Sequence, residues 1–116
     1  MSISRGDIWD VNFDPQVGDE IRKIRPAVVM DRGSARLQIR IVVPVTGWHP
    51  NFTNDISKVG LPASPETGLS KPSAADAYQV KSLSISRFLK KRGKVSPALA
   101  DDIALAVATL IDAPLN

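Results

Sequence analysis

In DIWDVNF, Trp9, Val11 and Phe13 alternate with Asp10, Asn12 and Asp14, the two-residue period of a half-buried strand. A polar loop follows in DPQVGDEIRK, where Pro15 and Gly18 interrupt the pattern. PAVVMD reads as a second, short apolar strand and DRGS as a turn. RLQIRIVVPV carries the longest alternation, with Leu37, Ile39, Ile41, Val43 and Val45 on one face and Arg36, Gln38 and Arg40 on the other. From Thr46 to Ala74 the chain is irregular and rich in Pro, Gly, Ser and Asn, with one short strand expected at DISKVGL. AADAYQVKSL reads as a strand, SISRFL as a helical turn and GKVS as a short edge strand. The last element is a helix. Ser96 suits its N-cap and Pro97 its first position; Leu99, Ile103, Val107 and Leu110 recur at helical spacing, and Pro114 is the expected stop. The pattern predicts a mainly β fold with a C-terminal α-helix: a small, twisted, mostly antiparallel sheet closed into a partial barrel, as a single domain over residues 1–116.

Composition narrows the chemistry. A chain of 116 residues buries roughly two-thirds of its unfolded surface, enough for a core without staples. The absence of cysteine rules out disulfides, zinc–thiolate sites and thiol catalysis. MSISRGDIWD has no apolar stretch after a basic start, and no apolar run approaches the ~20 residues that span a bilayer. A soluble, cytoplasmic protein without membrane contact is expected. The net charge of +3 is mild but clustered: Arg22, Lys23 and Arg25 in one group, Arg87, Lys90, Lys91, Arg92 and Lys94 in another. Two readings stand side by side, a solvated basic face and an anion-binding surface for nucleic acid or an acidic partner.

The single histidine, His49, excludes a nuclease that uses two imidazoles from one chain. It sits beside Pro50 with no serine elbow nearby. The acidic residues show no metal-ligand spacing, and no Gly-rich phosphate loop leads into a helix. What remains is catalysis by arginine, hydroxyls, carboxylates and amides, or none. Within RKIRPAVV, Arg25 precedes Pro26, and a residue before proline is held towards extended geometry. That backbone restriction is either how a strand begins or how a charge is aimed.

RGDIW, DPQVGDE, RPAVV, VPVT, QVKSL and SR occur in this order ahead of the terminal helix. In that arrangement the sequence resembles the MazF/PemK toxins of bacterial toxin–antitoxin systems, small endoribonucleases that cut single-stranded mRNA. The resemblance implies an SH3-like partial barrel, a homodimer, and an RNA groove at the dimer interface. It also implies a cognate acidic antitoxin whose initially disordered tail covers that surface, DNA contact only through the antitoxin complex, and neither metal nor cofactor. The catalytic pair it implies is Arg25 and Thr46. RNA contacts are expected from Gly18 and Glu20 in the first loop, Arg22 and Lys23, Trp48 as a stacking surface, and Gln79, Lys81 and Ser82 of QVKS. Phe52 is expected to pack, and Arg87 to serve either structure or RNA. Arginine is not readily deprotonated, so the acceptor of the 2′-hydroxyl proton is left open among Glu20, His49 and water. Asp19, Ile21, Gly47 and Tyr78 depart from the family pattern, which unsettles the base sequence recognised rather than the central pair. Two other readings share the fold: a gyrase-binding toxin, against which RPAVV with VPVT argues, and a non-catalytic RNA- or protein-binding module.

Overall fold

A computed structural model describes residues 2–13 and 23–114. The strands are β1 (Asp7–Asn12), β2 (Ile24–Val29), β3 (Ile39–Gly47), β4 (Lys58–Leu61), β5 (Ser73–Asp76), β6 (Lys81–Ser84) and β7 (Phe88–Lys94), and the helix is α1 (Pro97–Leu110). They form one sheet in the order β4-β5-β3-β2-β1-β7, with β6 also on β3. Every pairing is antiparallel. The expected mainly β architecture with a C-terminal helix is the one observed.

β3 organises the molecule because it serves three partners in succession. Its first residues, Ile39 to Val42, pair with β6; Val42 to Pro44 pair with β2; Val45 to Gly47 pair with β5. The handover falls at Pro44, which has no N–H to give to a ladder. The sheet thus passes from one strand set to the next in mid-strand, and both of its faces bury side chains. Ile8, Val28, Val43 and Val45 point to one side, where Ala100 and Ile103 of α1 cover them. Trp9, Val11, Ala27, Val29, Val42 and Phe88 point to the other. Trp9 and Phe88 meet edge to face there, with centroids 5.9 Å apart.

The structure departs from the sequence pattern at particular places. The alternation in β3 holds, but Leu37, Ile39 and Ile41 are 57%, 45% and 45% exposed while Arg40 is 7% exposed. Arg40 turns inward because Asp31 meets it there: Nε donates to both carboxylate oxygens at 3.0 Å, and the remaining donors reach the carbonyls of Asp31 and Ile3. AADAYQVKSL is not one strand. Asp76 ends β5 and caps a 3-10 turn over Ala77–Gln79, and the chain re-enters the sheet as β6. The edge strand at GKVS begins earlier, at Phe88, and runs along β1.

The helical turn in SISRFL is a 3-10 turn over Ile85–Arg87. Helix α1 starts as expected, with Ser96 Oγ accepting from the Leu99 N–H at 3.2 Å. Its end precedes Pro114. Asp112 adopts φ +58°, and the N–H groups of Ala113 and Asp112 bond back to Ala108 and Thr109, a Schellman stop. Among the described residues no helix is long and apolar enough to cross a membrane.

Candidate functional site

Alternation along β2 sets Arg25, Ala27 and Val29 on one face. Ala27 and Val29 belong to the Trp9 cluster, so Arg25 carries that face past the edge of the core. Arg25 also stands opposite Val11 of β1. On β3, Val42, Pro44 and Thr46 share the same face. Ala27 is opposite Pro44, the last pair of that ladder, and Arg25 and Thr46 each lie two residues beyond it on the same face. Thr46 is in turn opposite Ala74, and Ala74 opposite Gly60. Arginine, threonine and the neighbouring strands therefore form one continuous surface.

A groove of about 280 Å³ opens on that surface, lined by Phe13, Lys23, Arg25, Pro44, Asp76 and Gln79. Lys81 is on the same face, opposite Val42, with Nζ 5.4 Å from the Phe13 ring centroid. Ser82 is opposite Ile41, so strand alternation turns it to the other side of the sheet, away from Arg25. Trp48 has the parity of Thr46 and lies beside Gly60, where an added Cβ would be 3.8 Å from its ring. With Leu61, Pro62, Pro72 and Ser73 it lines a second cleft of about 280 Å³. Phe52 packs edge to face on Trp48, and Arg87 donates to the Asn12 carbonyl at 3.0 Å. Gly18, Glu20 and Arg22 lie outside the described residues.

Electrostatics separates Arg25 from most of the other arginines. Arg5 pairs with Asp101, Arg40 with Asp31, and Arg92 with Asp10 and the Gly68 carbonyl. The exposed Arg25 guanidinium has no hydrogen bond or ion pair to a described residue. Asp76, the groove's carboxylate among the described residues, is engaged through Oδ1, which is 3.4 Å from Lys58 Nζ. The same ammonium is 3.5 Å from Asp55 and 5.1 Å from the Phe52 ring centroid. The Ser57 hydroxyl and backbone N–H, with the Lys58 charge, hold the Asp55 carboxyl below its ordinary value. Among the described residues the groove thus presents a planar cation without a counter-ion, whose fork of donors matches phosphate oxygens. Among the described residues no group of three or more His, Cys, Asp or Glu is placed to hold a metal ion. His49 is not in the groove wall; its Nδ1 accepts from the Asn51 N–H at 3.1 Å and its ring leans on Phe52.

Three groove residues were missed by reasoning from sequence: Phe13, Pro44 and Asp76. Phe13 had a signal, because it extends the Trp9–Val11 alternation past the strand end. Pro44 shares the parity of Thr46. Asp76 had none, since reading AADAYQVKSL as one strand left its facing undefined.

Comparison with known proteins agrees with this architecture. The family described as "PemK-like, MazF-like toxin of type II toxin-antitoxin system" matches residues 4–111. A protein named Endoribonuclease MazF9, from Mycobacterium tuberculosis, is 37% identical over 105 residues, which is 81% of this chain and 83% of the relative. Among solved structures, the M. tuberculosis toxin MazF-mt6 superposes with a TM-score of 0.75 at 18% identity, over 94% of this chain and 99% of that one. A MazE–MazF structure from Deinococcus radiodurans gives 0.76 at 22% identity, covering 97% of both chains. At such identities the likeness is one of fold.

Proposed function

The chain belongs to the PemK-like, MazF-like toxins of type II toxin–antitoxin systems, and from that premise we propose that it is a cytoplasmic endoribonuclease that cuts single-stranded RNA at the Arg25 groove. The observation that carries this reading is an exposed guanidinium with no hydrogen bond or ion pair to a described residue, on the same sheet face as Thr46. Attack of a ribose 2′-hydroxyl forms the 2′-O–P bond and breaks the bond from phosphorus to the 5′-oxygen. Negative charge builds on the non-bridging oxygens, and Arg25 meets it with fixed donors. One such preorganised donor contributes roughly 3–4 kcal/mol to a transition state. Thr46 Oγ adds a hydrogen bond to the phosphate or orients the attacking hydroxyl. The products are a 2′,3′-cyclic phosphate and a 5′-hydroxyl, the latter taking up a proton on leaving. The 2′-hydroxyl proton goes to an acceptor other than Arg25, because a guanidinium does not give up its protons in proteins. Of the two side chains expected for that role, His49 is not in the groove wall and Glu20 lies outside the described residues.

Lys23, Lys81 and Gln79 flank the reacting centre and suit phosphate and base contacts. Trp48, 39% exposed beside Gly60, offers a ring on which an unpaired base stacks, worth roughly 1–3 kcal/mol. The same cations suit the acidic tail of a cognate antitoxin, which blocks the enzyme by covering the groove. The exposed aliphatic strip of Leu37, Ile39 and Ile41 supports assembly as a homodimer.

The test is incubation of purified protein with long single-stranded RNA in EDTA, followed by analysis of the ends. Cleavage leaving cyclic phosphates, abolished in Arg25→Ala, is the expected result. Intact RNA, with growth arrest relieved by resistant gyrase, would transfer the chain to the gyrase-binding alternative.

A further inference from the structure

Asp76 is the only carboxylate among the described residues lining the groove. An anion beside a phosphate-binding arginine needs a reason, because it repels the phosphate that Arg25 attracts. Its environment supplies one. Register places Val45 opposite Ala75, so Asp76 stands level with Pro44, diagonal to Thr46 on the shared face. Its Oδ1 accepts from the Tyr78 N–H at 3.2 Å and faces Lys58 Nζ at 3.4 Å. The hydrogen bond and the ion pair together hold Oδ1 in place. Oδ2 has no partner among the described residues, and the side chain keeps 18% of its exposure.

We propose that Asp76 reads a base: Oδ2 accepts a hydrogen bond from the exocyclic amino group of one RNA nucleotide and excludes uracil from that position. The inference rests on the endoribonuclease reading above. An ionised aspartate is acceptor-only. Adenine, cytosine and guanine each offer an amino group, and single-stranded RNA is read on such exposed edges. Carboxylates accept from base amino groups in the same way in duplex recognition. Uracil offers one N–H between two carbonyl oxygens, and those oxygens meet the carboxylate lone pairs. The phosphate of the same strand is drawn to Arg25 and Lys23 instead, so charge sorts backbone from base across the groove.

The experiment maps cut sites on a long RNA of mixed sequence for the wild-type protein, Asp76→Asn and Asp76→Ser. Both replacements retain a side chain able to cap the 3-10 turn, so the fold survives in at least one. Wild-type cutting should exclude uracil at one position of the cut motif. In the variants uracil should enter at that position alone, its rate relative to the preferred base rising about tenfold. An asparagine amide donates as well as accepts, which is why it admits uracil. A variant profile equal to wild type overturns the proposal, as does wild-type tolerance of uracil at every position. Equal loss of cutting at all sequences would make Asp76 part of the reaction chemistry and overturns it too. Failure of the wild-type protein to cut any RNA removes the enzymatic reading and this inference with it.

Discussion

Replacing Arg25 by alanine should separate activity from stability. The side chain is exposed and has no hydrogen bond or ion pair to a described residue, so its loss should change stability by no more than about 0.5 kcal/mol. If Arg25 is the proposed donor to the phosphate, the same truncation should remove about 3–4 kcal/mol of transition-state stabilisation, roughly a 10²–10³-fold fall in rate. Arg25→Lys keeps the charge without the planar fork and should fall between the two. Arg40 is the contrasting case. It is 7% exposed and bonded to both oxygens of Asp31. Arg40→Ala removes the ion pair and leaves Asp31, 21% exposed, with only the N–H groups of Gly33 and Ile41 among the described residues, at a cost of about 2–3 kcal/mol, a drop in Tm of roughly 6–15 °C for a chain this size. The assay is single-turnover cleavage of an end-labelled RNA in EDTA beside a thermal melt of each variant. An Arg25→Ala protein that cuts within threefold of wild type, at unchanged Tm, would refute the assignment. One that melts far below wild type would show Arg25 to be a structural partner.

Thr46→Val keeps the β-branched shape and removes only Oγ. It should cost about 0.5–1.5 kcal/mol, a few-fold to tenfold in rate, read as a change in kcat at unaltered Tm. Thr67 is 3% exposed; its Oγ1 donates to the Pro62 carbonyl at 2.8 Å and accepts from the N–H groups of Ser64 and Leu69 at 3.2 and 3.3 Å. Thr67→Val should therefore destabilise by about 1–3 kcal/mol in denaturant melts while leaving the cut pattern unchanged. Asp55 has a carboxyl held below its ordinary value of 3.8, first by the Ser57 hydroxyl, then by the Ser57 N–H and Lys58. A lowered folded value means that its stabilising share is complete above the unfolded value and is lost as pH falls through the folded one. A carboxyl NMR titration should place the midpoint below 3.8 and move it upward in Ser57→Ala; a midpoint at or above the ordinary value contradicts the geometry.

Local features were legible without coordinates. The Trp9–Val11 alternation, the Ser96–Pro97 helix start and the extended backbone at Arg25–Pro26 depend on residues a few positions apart, and each is present. Motif order singled out Arg25 and Thr46 for the same reason, since each sits in a short recognisable segment. Tertiary structure alone decided which way several side chains face. Ile39 and Ile41 have the pattern of core residues, yet Asp31 and the Ile3 carbonyl pull the other face of β3 inward through Arg40. Lys81 and Ser82 read alike in QVKS, but pairing with Val42 and Ile41 sends them to opposite sides of the sheet. Asp76 enters the groove only because its cap breaks one expected strand into two. The two-residue period says that neighbours face apart, but not which of them meets the core. That choice is made by register with strands distant in sequence, and by which polar groups find partners once they are buried.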